Sequence, residues 1–211
     1  MLEHLHQQVD FSGCWLDMNE ISNLCDGPCE TPKGPTVIDY THDIPYHPGG
    51  KNIEMVNIPL NATHYGNLLE AHTHAFFGMM ESHATFEYLK TKGRPFILSR
   101  SHTLGSNRYA AHWTGDNFSN FTFLRLSIAG TFMQNMMGMQ MVGSDICGFG
   151  GNVTEELCSR FYQLGSVYPF ARNHNQDNAI DQEAYALGPV VMAAAKNNLK
   201  LRYSILKAYY R

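Results

Sequence analysis

Short apolar runs recur along the chain, and most of them end in a charged or polar group. The runs cover about residues 11–16, 95–99, 109–113, 139–143 and 167–171. Each has the length and composition of a buried β-strand. Apolar residues at helical spacing fill the segments between runs, most clearly from His64 to Lys90 and from Ser119 to Met137. Strands that alternate with helices predict a parallel sheet with helical crossovers.

The ends of the predicted strands indicate which parallel fold is formed. Functional residues gathered at the carboxyl ends of successive strands are typical of a (β/α)8 barrel. A doubly wound sheet is the alternative, and it usually binds its ligand through a glycine-rich phosphate turn. The cluster from Gly148 to Gly151 lacks the G-x-G-x-x-G order of such a turn. We therefore predict an α/β fold that is part of a (β/α)8 barrel, because five strands do not close one.

Spacing and end signals predict three further helices, at about residues 1–10, 152–165 and 189–210. The helix over 119–137 is expected to be buried, and Gly130 would allow close packing. The apolar side of this helix carries Phe121, Leu124, Ile128 and Phe132.

The composition changes between about residues 21 and 62. Six of the nine prolines lie between Pro28 and Pro59, together with Gly49-Gly50 and several Asp and Asn residues. A stretch of this length is uncommon as a simple loop of a compact domain. We predict an insertion at about 21–62, a flap or small subdomain, within one domain that spans residues 1–211.

The overall composition excludes several classes of protein. A chain of 211 residues, 44% of them apolar, can bury the core of one sizeable domain. The net charge is −4 and the Lys and Arg residues are scattered, so no surface for nucleic acid is expected. No apolar run reaches the roughly 20 residues needed to cross a bilayer. The chain start lacks the features of a signal peptide, which by itself points to the cytoplasm.

Two aspartates stand where a strand could deliver a catalytic carboxylate. Asp17 follows the first apolar run, at the point where polar residues take over, in Gly13-Cys-Trp-Leu-Asp-Met-Asn-Glu20. Asp116 lies among aromatic residues, His and Gly in Arg108-Tyr-Ala-Ala-His-Trp-Thr-Gly-Asp-Asn117. Each aspartate has an ordinary alternative as a turn residue or helix N-cap. Two acids in such similar surroundings favour a pair.

Together the two blocks resemble glycoside hydrolase family 31, the retaining α-glucosidases that include the lysosomal and intestinal maltase enzymes. The resemblance covers nearly the whole chain. It implies that Asp17 is the nucleophile and Asp116 the general acid/base, with their carboxyl groups about 5 to 5.5 Å apart. It also implies that the five strands are the fourth to eighth of the barrel. The first three strands and the flanking β-sandwich domains would then belong to a longer protein, of which this chain is a fragment.

The resemblance also assigns residues around the sugar. Arg100, Asp145 and His174 are implied to hold the substrate in the first subsite. Arg172 is implied to orient the carboxylates without touching the sugar itself. Glu20 is implied to have the same kind of supporting role. The apolar residues implied around the sugar are Trp15, Met18, Trp113 and Phe149. Without the resemblance, a surface ion pair would explain Arg100 and core packing would explain the aromatic residues.

The cysteines and the glycosylation signals bear on the compartment. The five cysteines are Cys14, Cys25, Cys29, Cys147 and Cys158. The odd count leaves at least one unpaired, and Cys14 in its apolar strand is the natural candidate for a buried free thiol. By resemblance to the lysosomal and intestinal enzymes, Cys147 and Cys158 form a disulfide. N-glycosylation sequons begin at Asn61, Asn117, Asn120 and Asn152, of which Asn117 is discounted because a glycan there would block the pocket beside Asp116. We expect a glycoprotein in the secretory pathway, lysosomal or extracellular.

The function expected from the resemblance is retaining, exo-acting hydrolysis of terminal α-linked glucose from maltose-like oligosaccharides. One alternative is an α-xylosidase, transglycosylase or lyase on the same scaffold. Another is a truncated, inactive protein that at most binds glycans. The reaction needs no cofactor. His102, His112 and His174 could meet at the barrel mouth, but no H-E-x-x-H motif occurs and no metal is expected.

Overall fold

The computed structural model of the protein describes residues 2–23, 25, 27 and 56–210. The strands within these ranges are, in chain order, β1 (Gly13–Leu16), β2 (Thr63–His64), β3 (Leu68–Leu69), β4 (Phe96–Ser99), β5 (Ala111–Trp113), β6 (Val142–Gly143), β7 (Asp145–Ile146) and β8 (Arg172–Asn173). Strands β1, β4, β5 and β6 form one parallel sheet in that order, and β7 pairs in parallel with β8. The carboxyl ends of the four sheet strands therefore lie at one edge.

Helices connect the strands, as the alternating pattern predicts. They are α1 (Leu2–His6), α2 (Glu70–Thr73), α3 (Phe77–Lys90), α4 (Phe121–Met136), α5 (Glu155–Gly165) and α6 (Pro189–Tyr210), with 3₁₀ turns at His74–Phe76 and Ser106–Arg108. Asn120 and Thr154 cap α4 and α5, because their side chains accept hydrogen bonds from backbone N–H groups of the first turns. Within the described residues the sheet does not close into a barrel.

The fifth strand lies later in the chain than the apolar run 167–171 predicts. That run forms turns and bends, and the strand is β8. Pro169 cannot donate a ladder hydrogen bond. Arg202 of α6 instead donates to the backbone carbonyls of Ser166, Tyr168 and Pro169. The prediction of a strand over this run is wrong, because its apolar residues belong to a loop that a helix holds in place. The fourth run is a strand only over β6.

The helix predicted from His64 onward also begins later. Strands β2 and β3 form a hairpin around Gly66 and Asn67, whose φ angles are 81° and 59°. A right-handed helix excludes this left-handed conformation, which Gly and Asn tolerate. The buried carboxylate of Glu70 pairs with His64 across the hairpin at 2.7 Å and with His74 at 2.5 Å. Helix α3 starts only after this cluster.

Helix α4 is exposed, which contradicts the prediction of a buried helix. Among the residues described, Ser127 is its one buried position, and Phe132 is 69% exposed. Apart from its own helix, no described residue comes within 4 Å of a Cβ built on Gly130, so the expected close packing at this glycine is absent from the described part of the chain. Leu124 packs against the core beside α5. The outer side of α4 remains uncovered because no described element packs on it.

Two hydrophobic clusters hold the helices to the strands. The larger cluster packs α5 against α6 and β7 through Ile146, Phe161 and Val191. The smaller cluster joins Leu89 of α3 to Ile97 of β4. Burial of large apolar side chains of this kind stabilises the fold by about 1.5–3 kcal/mol for each side chain.

The cysteine predictions agree with the structure. Cys147 and Cys158 form a disulfide that ties the turn after β7 to α5, and Cys14 is a free thiol, half-buried rather than buried. The predicted insertion at about 21–62 falls largely on residues outside the described ranges and stays a prediction. None of the described helices combines the length and the apolar character that a membrane span requires.

Gly143 of β6 lies directly beneath the loop that leads to β8. A Cβ on Gly143 would overlap the backbone carbonyl oxygen of Phe170. Because backbone atoms cannot rotate away, we expect Gly143→Ala to lower the free energy of unfolding of the full natural chain by about 1–3 kcal/mol. Gly93→Ala is the matched control, since no described residue other than its chain neighbours lies within 4 Å of a Cβ there. Equal unfolding free energies for the two variants in denaturant titrations would contradict this packing.

Candidate active site

The loop after β1 presents Asp17 at the edge of the sheet. Its Oδ1 accepts a hydrogen bond of 2.7 Å from the backbone N–H of Met18, an exposed residue with a φ angle of 53°. Asn19 turns back into the protein and is buried. Its Nδ2 donates to Ser99 Oγ at 2.8 Å, and its Oδ1 accepts from the Ser101 N–H at 2.9 Å. This amide fixes the loop that carries Asp17 to the loop after β4.

Arg100, directly after β4, joins Asp17 to Glu20. Its Nε and Nη2 donate to the Glu20 carboxylate at 2.9 and 2.8 Å, and its Nη1 lies 3.2 Å from Asp17 Oδ1. The hydrogen bonds to Glu20 raise the pKa of Arg100. Burial raises the pKa of Glu20, but the hydrogen bonds and positive charge of Arg100, together with a backbone hydrogen bond, hold that pKa below its ordinary value. Arg100 is therefore the centre of a half-buried charge cluster and not an isolated surface pair.

Asp116 stands in the loop after β5, close enough to Arg100 for their charges to interact. The preceding Gly115 has a φ angle of 78°, and a Cβ on it would lie 3.4 Å from Arg100 Cδ. The charge of Arg100 interacts with both Asp17 and Asp116. Arg100 therefore contacts Asp17 directly, whereas its interaction with Asp116 acts over a longer distance. Both are exposed to solvent, and Asp116 borders a pocket of about 170 Å³ between this loop and α4.

Asp145 of β7 is fully buried and held from two sides. Arg172 donates to its Oδ1 from Nε at 3.2 Å and from Nη2 at 2.8 Å, and Trp113 Nε1 donates to its Oδ2 at 3.3 Å. Burial raises the pKa of Asp145, whereas the hydrogen bonds from Arg172 and Trp113 favour its ionised form. Asp145 and Trp113, at 0% and 1% exposure, lie beneath the surface that a sugar would touch. For these two residues a direct sugar contact stays a prediction.

Aromatic and imidazole rings line one side of the charge cluster. The ring centroid of Trp15 lies 5.5 Å from that of Trp113 and 6.1 Å from that of His174. Phe149 lies 5.2 Å from His174, and the Arg172 guanidinium lies 4.9 Å from the Trp15 ring. Trp15 is exposed, and Phe149 and His174 are half-buried. We call Trp15, Phe149 and His174 the aromatic wall, because neighbouring rings among them lie 5.2 to 6.1 Å apart.

The site also contains buried polar residues to which the sequence assigns no role, namely Asn19, His112, Asn117 and Gln182. Asn117 Nδ2 donates to the backbone oxygen of Asp145 at 3.0 Å, and its Oδ1 accepts from the Phe149 N–H at 3.2 Å. A glycan could not be attached to this amide in the folded protein, which agrees with discounting that sequon. The only sequence signal for such a buried polar residue is an Asn or Gln close to a candidate acid. It is weak, because these residues are also common in turns.

The histidines do not gather at one site. His112 of β5 stacks on His102 with 3.9 Å between ring centroids, and its Nδ1–H donates to the Ser99 carbonyl at 3.1 Å. His174 belongs to the aromatic wall instead. Burial, and to a lesser degree repulsion from His102, lower the pKa of His112 from 6.5 to about 4. In the part of the chain that the structure describes, no three His, Cys, Asp or Glu side chains are placed to hold a metal ion.

The whole chain, residues 1–211, matches the model of the glycosyl hydrolases family 31 TIM-barrel domain. The chain belongs to glycosyl hydrolase family 31. Lysosomal alpha-glucosidase of Rattus norvegicus is 40% identical over 219 residues, which are 100% of this chain and 22% of that protein. Alpha-xylosidase 1 of Arabidopsis thaliana is 38% identical over 233 residues, 99% of this chain and 25% of that protein.

The similarity extends to solved structures. The crystal structure of a glucosidase II alpha subunit in its Glc1Man2-bound form is 36% identical with a TM-score of 0.69, over 72% of this chain and 17% of that chain. The family and this likeness confirm the prediction of a partial (β/α)8 barrel. The chain spans about a quarter or less of the length of each of these relatives.

The buried neutral His112 predicts a pH-dependent stability. Between about pH 6.5 and pH 4 the unfolded chain binds a proton at this residue and the folded protein does not. The contribution is fully present above pH 6.5 and is lost as the pH falls towards 4, at most about 3 kcal/mol. We expect His112→Gln in the full natural chain to reduce the slope of unfolding free energy against pH in this range. His4→Gln, at an exposed position of α1, should keep the slope of the unmodified protein. An unchanged slope in His112→Gln would contradict the prediction.

Proposed function

We propose that the protein is a retaining exo-α-glucosidase that releases terminal α-linked glucose from maltose-like oligosaccharides. The observation that carries this proposal is the placement of Asp17 and Asp116 around Arg100, at the carboxyl ends of strands β1 and β5, which flank β4. Retaining hydrolysis needs two carboxyl groups on opposite sides of one anomeric carbon. The similarity to a lysosomal alpha-glucosidase supports the choice of an α-glucoside as substrate.

In the proposed reaction, Asp17 attacks the anomeric carbon while Asp116 gives its proton to the glycosidic oxygen. The bond to that oxygen breaks, the sugar becomes an ester of Asp17, and the remaining oligosaccharide leaves with the proton. Asp116, now a carboxylate, removes a proton from water, and the water oxygen displaces Asp17 from the anomeric carbon. Two inversions at this carbon retain the α configuration.

Arg100 and Glu20 prepare the site before substrate arrives. Arg100 Nη1 lies 3.2 Å from Asp17 and puts positive charge beside the ionised nucleophile that the first step requires. Glu20 engages Nε and Nη2 of the same guanidinium, so its plane is fixed. Asp116 is exposed in the free protein. A bound oligosaccharide would cover Asp116 and exclude water from it.

The aromatic wall is the proposed first subsite. The C–H face of a pyranose ring is apolar and its rim carries hydroxyl groups, so ring faces suit it. Trp15 and Phe149 supply such faces, and the imidazole of His174 between them can bond a hydroxyl. Arg172 supports the wall from below through its contact with Trp15. Met18, exposed in the loop of Asp17, is the further apolar contact proposed for the sugar.

An α-xylosidase is the second candidate, favoured by the 38% identity to Alpha-xylosidase 1. Xylose differs from glucose by the absence of the hydroxymethyl group on C5. An enzyme therefore distinguishes the two sugars through the residues that lie next to C5. Comparing kcat/KM for an aryl α-glucoside and an aryl α-xyloside separates the candidates, and the leading proposal expects the glucoside to be preferred.

The activity is proposed for a longer protein that contains this chain. The sheet is open, Asp17 and Asp116 are exposed, and the relative from rat is covered over 22% of its length. Further barrel strands and β-sandwich domains would be the partners that close the site. A truncated, inactive product that at most binds glycans is the alternative for residues 1–211 by themselves.

A secretory or lysosomal location is proposed for the same protein. The disulfide between Cys147 and Cys158 requires an oxidising compartment to form and persist. The lysosomal relative supports the same choice. Asn61 and Asn152, which are exposed, are the proposed positions for N-linked glycans.

Replacing the nucleophile tests the proposal most directly. We expect Asp17→Asn to lower kcat for an aryl α-glucoside by about a thousandfold or more, because the amide cannot form the glycosyl ester. Asp10→Asn is the matched control, since the Asp10 side chain is 100% exposed and lies outside the site. Normal turnover in Asp17→Asn, measured by release of the aryl group, would end the proposal.

Replacing the general acid should give a different pattern. We expect Asp116→Ala to lose about a thousandfold in kcat/KM for maltose but far less for an aryl α-glucoside whose leaving group needs no proton. Added azide should then speed turnover, because it displaces Asp17 from the anomeric carbon without a general base. The product should be the α-glucosyl azide, identified by NMR. A β-glucosyl azide, or no response to azide, would contradict the assignment of Asp116.

A further inference from the structure

The side-chain amide of Gln182 lies at the centre of a buried hydrogen-bond cluster behind the aromatic wall. The residue is 3% exposed. Four oxygens converge on its Nε2, and they belong to the backbone of Ile146 at 3.5 Å, Gly148 at 3.1 Å and His174 at 3.0 Å and to the side chain of Asn173 at 2.9 Å. One amide group therefore bridges the loop after β7 and the segment after β8.

The backbone conformation after β7 explains why a donor is needed at this point. Cys147 and Gly148 both have positive φ angles, 77° and 93°, and the disulfide anchors Cys147 to α5. This turn directs the carbonyl oxygens of Ile146 and Gly148 towards Gln182. Buried carbonyl groups require a hydrogen-bond donor, and the Nε2 group supplies it.

The segment after β8 is tied to the same cluster. Asn173 Nδ2 donates to the backbone oxygen of Gln182 and to the Tyr162 hydroxyl, both at 2.8 Å. The backbone N–H of Gln176 donates to the Phe149 carbonyl at 3.1 Å. Phe149 and His174, whose rings lie 5.2 Å apart in the wall, therefore sit on two segments that Gln182 joins.

The cluster uses the donor half of the amide. Gln182 Oε1 is buried and has no hydrogen-bond partner among the described residues, while every bond of the side chain is made by Nε2. A residue that only filled space here would be better served by an apolar side chain, because an unpaired buried oxygen is unfavourable.

We propose that Gln182 is a positioning residue that sets the separation of Phe149 and His174 and so shapes the first subsite. The proposal rests on the function proposed above, in which these two rings bind the terminal sugar. Gln182 itself would touch no substrate. Its effect would reach the sugar through the two segments that it joins.

Two variants of the full natural chain show whether the hydrogen bonds donated by Gln182 matter, or only the volume of its side chain. Gln182→Met keeps the volume and removes both donors, and we expect kcat/KM for an aryl α-glucoside to fall at least about tenfold, mainly through a higher KM. Gln182→Glu places a carboxyl against the four oxygens, where only its protonated form can donate one hydrogen bond. We therefore expect the activity of Gln182→Glu relative to Gln182→Met to rise as the pH is lowered. The titratable side chains beside the cluster, His174 and Tyr162, are common to both variants and cancel in this ratio.

The same two changes at Gln163, an exposed position of α5, are the matched controls and should leave KM unchanged. A ratio that stays flat with pH, or a KM within twofold of the unmodified protein in Gln182→Met, would overturn the proposal.

Hydrogen exchange supplies a measurement that does not depend on activity. In Gln182→Met the amides of Phe149 and Gln176 should exchange at least about tenfold faster, while those of α3 keep their protection. Faster exchange throughout the chain would show a purely structural role and overturn the proposal. If the unmodified protein cleaves no aryl α-glycoside, the proposed function fails, and this exchange pattern still decides whether Gln182 holds the two segments together.

Discussion

Arg100 lies at the end of β4, between the two strands whose loops carry Asp17 and Asp116. Carboxylates brought close to one another repel, and a single guanidinium offsets this repulsion while it bonds Glu20 through two nitrogens. Backbone pairing on both sides of β4 sets the position of Arg100. The sheet therefore fixes the position of Arg100, and the positive charge of Arg100 stabilises the carboxylates around it. A shift of β4 relative to its neighbours would disturb all three carboxylates at once.

Strands β1, β4 and β5 begin and end within two residues of the apolar runs that predict them. These runs are predictable because each is as long as a buried strand and stops at a polar group. The run 167–171 has the same appearance, yet Arg202 binds the carbonyls that a strand would have used. Periodicity contains no information on a partner 33 to 36 positions away. Helical spacing likewise continues through Gly66 and Asn67, whose turn prevents the helix.

The same contrast applies to the candidate site. Asp17, Arg100 and Asp116 each follow an apolar run within a block that resembles family 31, so they could be singled out from the sequence. The buried amides could not, because their partners are mostly atoms of distant loops. Asn19 bonds to Ser99 and Ser101 across eighty or more positions, and nothing in the local sequence marks those contacts. For α4 the sequence predicts burial that the structure does not show. An apolar helix pattern does not reveal whether a neighbouring element is present to cover it.

The side chains at this edge of the sheet have to be accessible to a ligand and also held in fixed positions. In the proposed reaction a sugar has to reach Asp17, Asp116 and His174, and none of the three is buried. Each has a buried or half-buried Asn within two positions in the chain, namely Asn19, Asn117 and Asn173, whose side chain is bonded to another segment of the chain. Catalysis by fixed charges requires that groups stay in place without reorganisation as the reaction proceeds. In the proposed reaction the geometry of the exposed acids therefore depends on amide side chains that would not touch the substrate.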